Sequence, residues 1–459
     1  MAATSVSYVV VLLDTSIVNV ALGGITASMA TDVAGLQWVV NAYTLAFASL
    51  LLTGGALGDR WGARNVYCAG LAVFTLASTL CGAAPGLPGL MAARALQGIG
   101  AALLVPCSLK LINQAFPDPE RRARAIGLWI GCGGLAMATG PLIGGILIHA
   151  FNWRSIFFVN LPIGLLGLAM TGRLASEPGP RPTRPFDLAG QMTAFVAIGT
   201  LIGVLIEGDG LGWFSVPMLA GLALALAAGA LFLRIEARAA HPMLPLSLFK
   251  DRVFAGSVSV SLASAFVFYG FLFLISLYHQ RHQGLSAIQT GLALLPVTAM
   301  VACGSFVADR VARIYGTQRP LSVAFGLYAI GALGLLPTGG PSSWLTVPPL
   351  LAIGLASGFI SPAATAPALG AVASHHTGIA SAALHAARQT GAALGVAIFG
   401  AVLAATARFD RALPVALWLI VAVSLAAALT WWRSVGRPPP EGANPSRSAH
   451  LTPPRTGTS

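Results

Sequence analysis

The sequence predicts an all-α integral membrane protein of fourteen transmembrane helices, arranged as two six-helix bundles plus two extra helices. Three observations carry this. Of 459 residues, 56% are hydrophobic and only 9% charged, whereas a water-soluble domain holds about a quarter charged residues. Apolar runs of about 20 residues, long enough to cross the hydrocarbon as helices, recur along nearly the whole chain. The short charged segment GALGDRWGAR, Gly55 to Arg64, reads as a loop between two such runs, and Gly304, Asp309, Arg310 and Arg313 repeat its spacing 250 residues later.

The fourteen runs fall at 5–27, 36–57, 66–84, 88–112, 123–149, 156–175, 187–206, 214–233, 254–277, 287–308, 320–338, 344–370, 379–405 and 412–432. A second echo strengthens the repeat: helix 5 holds Thr139, Gly140 and Gly144, and helix 13 holds Thr390, Gly391 and Gly395, at an offset of 251. Two segments sharing nearly one offset indicate a duplicated six-helix unit. Residues 1–175 then form the N-terminal bundle and 254–433 the C-terminal bundle. Residues 176–253 supply cytoplasmic connectors with extra helices 7 and 8. EPGPRPTRPFD is too rich in proline and charge for a membrane helix, while RIEARAAHPMLPLSLFKDRV is expected to lie along the membrane face. Residues 434–459 read as a disordered cytoplasmic tail.

A net charge of +12 invites a nucleic-acid reading, but the distribution argues otherwise. With the N-terminus inside, 19 of the 26 Lys and Arg fall in cytoplasmic segments and four outside (Arg154, Arg281, Arg408, Arg411). Arg94, Lys110 and Arg388 lie within spans. The surplus therefore reports topology, with both termini cytoplasmic, and no nucleic-acid partner is expected. No basic region and cleavage site precede the first run, so no removable leader is expected. Only two Lys against 24 Arg points to a GC-rich bacterial genome, and hence to a multi-pass protein of the bacterial inner membrane. The five cysteines lie within predicted helices without a CxxC pair, as small packing residues do.

Asp14, about halfway along helix 1, is the acid placed near the membrane midplane. A carboxylate there is costly to ionise without a cation nearby, so its charge follows its neighbours. That is what a proton-coupled carrier requires; the alternative is a structural acid permanently paired to an arginine. Arg94 is the expected partner, sharing a face of helix 4 with Gln97 and Gly98. An arginine stays charged, so it either biases the Asp14 proton or bridges helices.

Helix 5 carries Gly140, Pro141, Gly144 and Gly145, small residues that admit a neighbouring helix and a proline that permits a bend. It reads as a mechanical joint between bundles. In the charged segment, Gly55 and Gly62 allow tight turns, and Asp59 is placed to accept hydrogen bonds from a helix N-terminus. Together with Arg60, Arg64, Asp309 and Arg310 it forms either a gating latch or a mark of the inside face. His385 and Arg388, within helix 13, read as a helix tie or as contacts for an anionic substrate group. Asn19, Trp38, Tyr43, Gln97, Phe266 and Tyr269 complete the candidate substrate cavity. His375–His376 and His279–His282 lack acid or Cys companions, so no metal site is expected. There is no GxxxxGK[ST], GxSxG or HExxH motif and no sizeable soluble module, so ATP hydrolysis and enzyme activity are not expected.

These segments resemble the major facilitator superfamily, and within it the fourteen-helix drug:proton antiporters. The resemblance rests on LDTSIVNVAL, LQWVVNAYTLAFAS, GALGDRWGAR, RALQGIGAA, TGPLIGG, NWRSIFFVNLPIG and HPMLPLSLFKDRVF, and covers nearly all of the chain but the tail. It implies the major facilitator fold, with a cavity open to one side at a time. The helix 5 motif implies export, driven by the proton motive force without another cofactor. Residue by residue, it implies Asp14 and Arg94 in proton coupling, Asp59 and Arg60 in the latch, and Gly140 and Pro141 in the joint. Gly23 stands where the family usually has proline, Gly58 where it has alanine, and Ala136 where it has glycine.

Three functions follow. The leading one is proton-coupled export of small lipophilic or amphiphilic compounds by a monomer in contact with membrane lipids. Another is dedicated export of a metabolite or organic anion, with Arg388 and Arg94 as counter-charges. A third, a sensor or membrane enzyme, needs a module the sequence does not contain.

Overall fold

A computed structural model of the chain describes residues 2–172, 187–239, 242–336, 344–373, 376–406 and 408–435, apart from the side chains of Pro119, Ala123 and Asp309. The expected tail and the EPGPRPTRPFD connector lie almost wholly outside these residues, as does His375. Fourteen long helices are described: α1 Ala2–Met29, α2 Val33–Trp61, α3 Ala63–Ala83, α4 Leu87–Ala115, α5 Pro119–Ala150, α6 Ser155–Gly172 and α7 Leu188–Leu211. They continue as α8 Val216–Arg238, α9 Arg252–Leu277, α10 Ala287–Tyr315, α11 Gln318–Leu335, α12 Val347–Gly370, α13 Thr377–Thr406 and α14 Phe409–Val435. Thirteen are long and apolar enough to cross a membrane; α11, with 18 residues, is the one not among them.

Four acids are spent on helix starts. Asp32, Asp118, Asp187 and Asp251 each accept a backbone N–H in the first turn of α2, α5, α7 and α9. Ser286 and Gln289 close a capping box on α10. The charged segment is not the expected loop. Helix α2 runs through Trp61, α3 starts at Ala63, and only Gly62, at φ 87°, breaks the path. Asp309, Arg310 and Arg313 likewise lie within α10. Leaving the hydrocarbon does not by itself unwind a helix, and these residues contain no breaker but glycine.

The packing repeats under a shift of eight helices. In the first unit α1 packs on α5, α2 on α4, and α3 on α4 and α6; in the second α9 packs on α13, α10 on α12, and α11 on α12 and α14. The units meet through the pairs α5–α10 and α13–α2, which the shift also interchanges. Helices α7 and α8 form a hairpin whose α7 packs on α2 and α13, beside that second seam. The segment expected along the membrane face contains a short 3-10 turn, Leu246–Lys250. Its Leu248 packs with Phe254, Ala368 and Leu384 at the ends of α9, α12 and α13.

Glycines set the closest approaches. A Cβ on Gly54 would lie 2.1 Å from the Ala102 carbonyl oxygen, and one on Gly98 would lie 2.3 Å from that of Tyr43, so α2 and α4 meet almost backbone to backbone. The departure at Gly58 has the same cause, since a methyl there would lie 2.7 Å from Cys107 Sγ.

Candidate functional site

Within the first unit lies a buried polar knot. Arg94 Nη1 donates to Asp14 Oδ2 at 2.6 Å and to Gln97 Oε1 at 2.8 Å. Gln97 Nε2 and Asn160 Nδ2 donate to Asp14 Oδ1 at 2.8 and 3.3 Å. Arg94 Nε donates to the Val39 carbonyl at 3.1 Å, and its guanidinium lies over the Tyr43 ring at 4.4 Å. Asp14 and Gln97 have no accessible surface, and Arg94 has 1%. Both carboxylate oxygens are thus engaged, which is what an ion pair in an apolar medium needs to persist. Asn160, in the quoted NLPIG stretch of α6, was legible only as a polar residue in an apolar run.

Beside the knot runs a vestibule. Helix α1 packs against α2, α4, α5, α6, α9 and α10, so surface left on it faces an interior space. Between Ala2 and Ser16 that surface belongs to Ser5, Val6, Tyr8, Val9, Leu12 and Thr15, of which Ser5, Tyr8, Leu12 and Thr15 share one face at helical spacing, and from Ser16 to Leu22 the helix is buried. On α13, Ser381, His385 and Arg388 keep partial exposure before the buried stretch Gly391–Ala393, and Tyr269 does so on α9. Tyr8, Tyr269 and Arg388 act on one another electrostatically, as do His385 and Arg388. These partly exposed residues come from both units and lie on the Ala2 side of the buried stretch of α1; the space they share is termed the vestibule. Asp14 points into the knot while its neighbour Thr15 faces the vestibule.

At the far end the units close on each other. Gln280 Oε1 accepts the Gly23 N–H at 2.8 Å, Gln280 Nε2 donates to the Asn19 carbonyl at 3.1 Å, and Ser276 donates to the same carbonyl at 2.6 Å. Arg281 donates to Thr26 Oγ1 at 2.7 Å. Gln37 Nε2 bridges α2 to the Val396 and Ala397 carbonyls, and Thr298 bonds the Ala138 carbonyl of α5. The first of these explains the departure at Gly23, since proline has no N–H to give and a Cβ there would lie 2.4 Å from Gln280 Oε1. Gln280→Ala is expected to shift the protein several-fold toward an open far end, and Gly23→Pro further. Spin-label distances between Ala27→Cys and Leu285→Cys, in a background lacking the native cysteines, measure this as a longer population.

The structure sorts the sequence candidates. Tyr269, His385 and Arg388 line the vestibule. Tyr43 and Gln97 belong instead to the buried knot, because α2 and α4 meet too closely to leave space. The Asn19 carbonyl is tied into the far-end closure, and its side chain bonds back to Thr15 and Ser16. Trp38 faces away from the vestibule, its indole N–H donating to Glu207 of α7 at 2.7 Å. Phe266 packs edge-on against Phe399 between α9 and α13. In the charged segment, Asp59 pairs with Lys110 of α4 rather than with a helix terminus. Arg64 donates to the Thr171 and Gly172 carbonyls at the end of α6, while Arg60 and Arg310 are exposed. The joint residues sit at a junction: Gly140 and Gly144 abut Ser16, Ile17 and Val20 of α1, whereas Gly145 abuts Ala287 and Ile288 of α10. Sequence reasoning passed over Tyr8, Gln280, Ser276, Gln37 and Thr298, whose roles depend on facing the other unit.

The family model of the Major Facilitator Superfamily matches residues 4–396. The chain belongs to the major facilitator superfamily. It is 35% identical to a methylenomycin A resistance protein of Streptomyces coelicolor, over 95% of this chain and 92% of that one. It is 37% identical to the multidrug resistance protein Stp of Mycobacterium tuberculosis, over 88% and 75%. Among solved structures it resembles the nucleoside transporter NupG, with a TM-score of 0.67 at 11% identity, over 94% of this chain and 98% of that one. This likeness at low identity concerns the fold alone. The chain is thus a multi-pass membrane protein of a superfamily of small-molecule transporters.

Proposed function

We propose that this facilitator exports small lipophilic or amphiphilic compounds in exchange for protons, by alternating access, in a bacterial inner membrane with both termini cytoplasmic. Relatives named for antibiotic and multidrug resistance support the compound class. The observation that carries the coupling is Asp14, sealed from water one residue from the vestibule face, with a fixed cation as its partner. Tyr43 joins the two compartments: its ring covers Arg94, and its hydroxyl acts electrostatically with both Asp14 and Tyr269. A proton on Asp14 removes the charge that holds Arg94, Gln97 and Asn160, and so loosens α1 from α4 and α6. Because α1 also carries Asn19 and Gly23, the knot and the far-end closure are parts of one helix. Each inward-moving charge supplies about 2.3 kcal/mol per 100 mV.

The reading is tested in a pump-deficient bacterial host expressing the protein, by following dye efflux with and without an uncoupler. Wild type is expected to expel dye only while the proton gradient stands, and Asp14→Asn to lose that dependence. Uncoupler-insensitive efflux by wild type would reject the proposal. A dedicated anion exporter using both arginines is less well supported, because Asp14 already neutralises Arg94.

A further inference from the structure

Arg388 differs from Arg94 in one respect that bears on substrate. Its Nη1 donates to Ser361 Oγ at 2.6 Å and its Nη2 to Thr365 Oγ1 at 3.2 Å, both neutral hydroxyls on α12. Its Nε is buried and has no hydrogen-bond partner. The groups acting on it electrostatically are Tyr8, Tyr269 and His385, and among the described side chains no carboxylate is one of them. Three acids of the helices are engaged elsewhere: Asp14 in the knot, Asp59 with Lys110, and Glu207 with Trp38. A guanidinium deep in a membrane protein without a counter-ion is costly. The hydroxyls of Ser361 and Thr365 hold the side chain in place without cancelling its charge, and so present it to the vestibule.

The surroundings give the rest of the ligand. Tyr8 stacks on Trp129 with ring centres 3.7 Å apart, and together with Tyr269 it offers flat apolar surface from both units. We propose that Arg388 is an anion-recognition residue of the vestibule, selecting compounds that join a carboxylate to a flat apolar body. The planar fork of the guanidinium suits a carboxylate, which accepts two parallel N–H bonds. The proposal rests on the export reading for the identity of the vestibule as the substrate site, and it adds the charge class.

Equilibrium binding of 1-pyrenebutyrate and of its uncharged N-methyl amide tests it, with the full-length protein in lipid nanodiscs and pyrene emission as the readout. The probes share one ring system and differ in charge at neutral pH. Wild type is expected to bind the acid about tenfold tighter than the amide, after correction against empty nanodiscs. Arg388→Gln is expected to remove that preference while leaving amide affinity within about threefold. Arg388→Lys keeps a cation at the position and is expected to retain part of the preference, which guards against a folding failure of Arg388→Gln. Equal affinities in wild type, no binding of either probe, or a preference that survives Arg388→Gln would overturn the proposal. Because binding is read without a proton gradient, its failure is separable from that of export, which is read as loss of uncoupler-sensitive dye efflux.

Discussion

Arg94→Ala is expected to lower folded stability by about 3–5 kcal/mol, because it strands an ionised carboxylate where no other cation is bonded to it. The remaining partners of Asp14 are the amides of Gln97 and Asn160, which soften the loss without cancelling the charge. Asp14→Asn is milder, since Arg94 keeps the Val39 carbonyl, Gln97 Oε1 and the Tyr43 ring, and the new amide still offers an oxygen. A loss of about 1–3 kcal/mol is expected there. The double variant should regain much of what Arg94→Ala loses, since the two residues lie in one network and their effects are not additive. Thermal unfolding of the four proteins in one detergent checks this. An Arg94→Ala protein as stable as wild type would mean that Asp14 is already neutral in this state.

Gly291→Val acts on the balance between conformations rather than on the bundles. Its Cβ would lie 2.4 Å from the Pro141 carbonyl oxygen across the α5–α10 seam, and a Cβ on Gly145 would lie 2.8 Å from that of Ala287. Both contacts join the two units at the closed far end. Overpacking of this kind costs about 1–3 kcal/mol, so a shift of about fivefold or more toward an open far end is expected. Gly54→Val is the control. Its clash with the Ala102 carbonyl lies between α2 and α4 of one unit, so it should lower stability without favouring either conformation. The spin-label pair at Ala27→Cys and Leu285→Cys distinguishes the two. An unchanged distance distribution in Gly291→Val would remove the α5–α10 seam from the switching account.

Helix number and order were legible because hydrocarbon imposes a length and a composition on every crossing. Helix ends were not: α2 and α10 run several residues past their apolar windows, since hydropathy marks where the membrane ends and not where a helix stops. Asp14 and Arg94 were legible because charge inside an apolar run is rare enough to need a partner. Trp38 was misread because an aromatic residue gives no sign of which neighbour it faces. The closure by Gln280 and Ser276 was invisible, since its acceptors include the Asn19 carbonyl and its donors include the Gly23 backbone. The same closure gives a physical reason for Gly23, which the sequence alone offered only as a departure.

The central claim is that Asp14 trades its proton against substrate. The direct measurement is proton release from purified protein when dye is added, in lightly buffered detergent with a pH indicator. Wild-type molecules whose knot is opened by a proton on Asp14 are expected to release that proton in proportion to dye bound, as the knot re-forms, and Asp14→Asn to bind dye with none released. Equal release from both proteins would contradict the account.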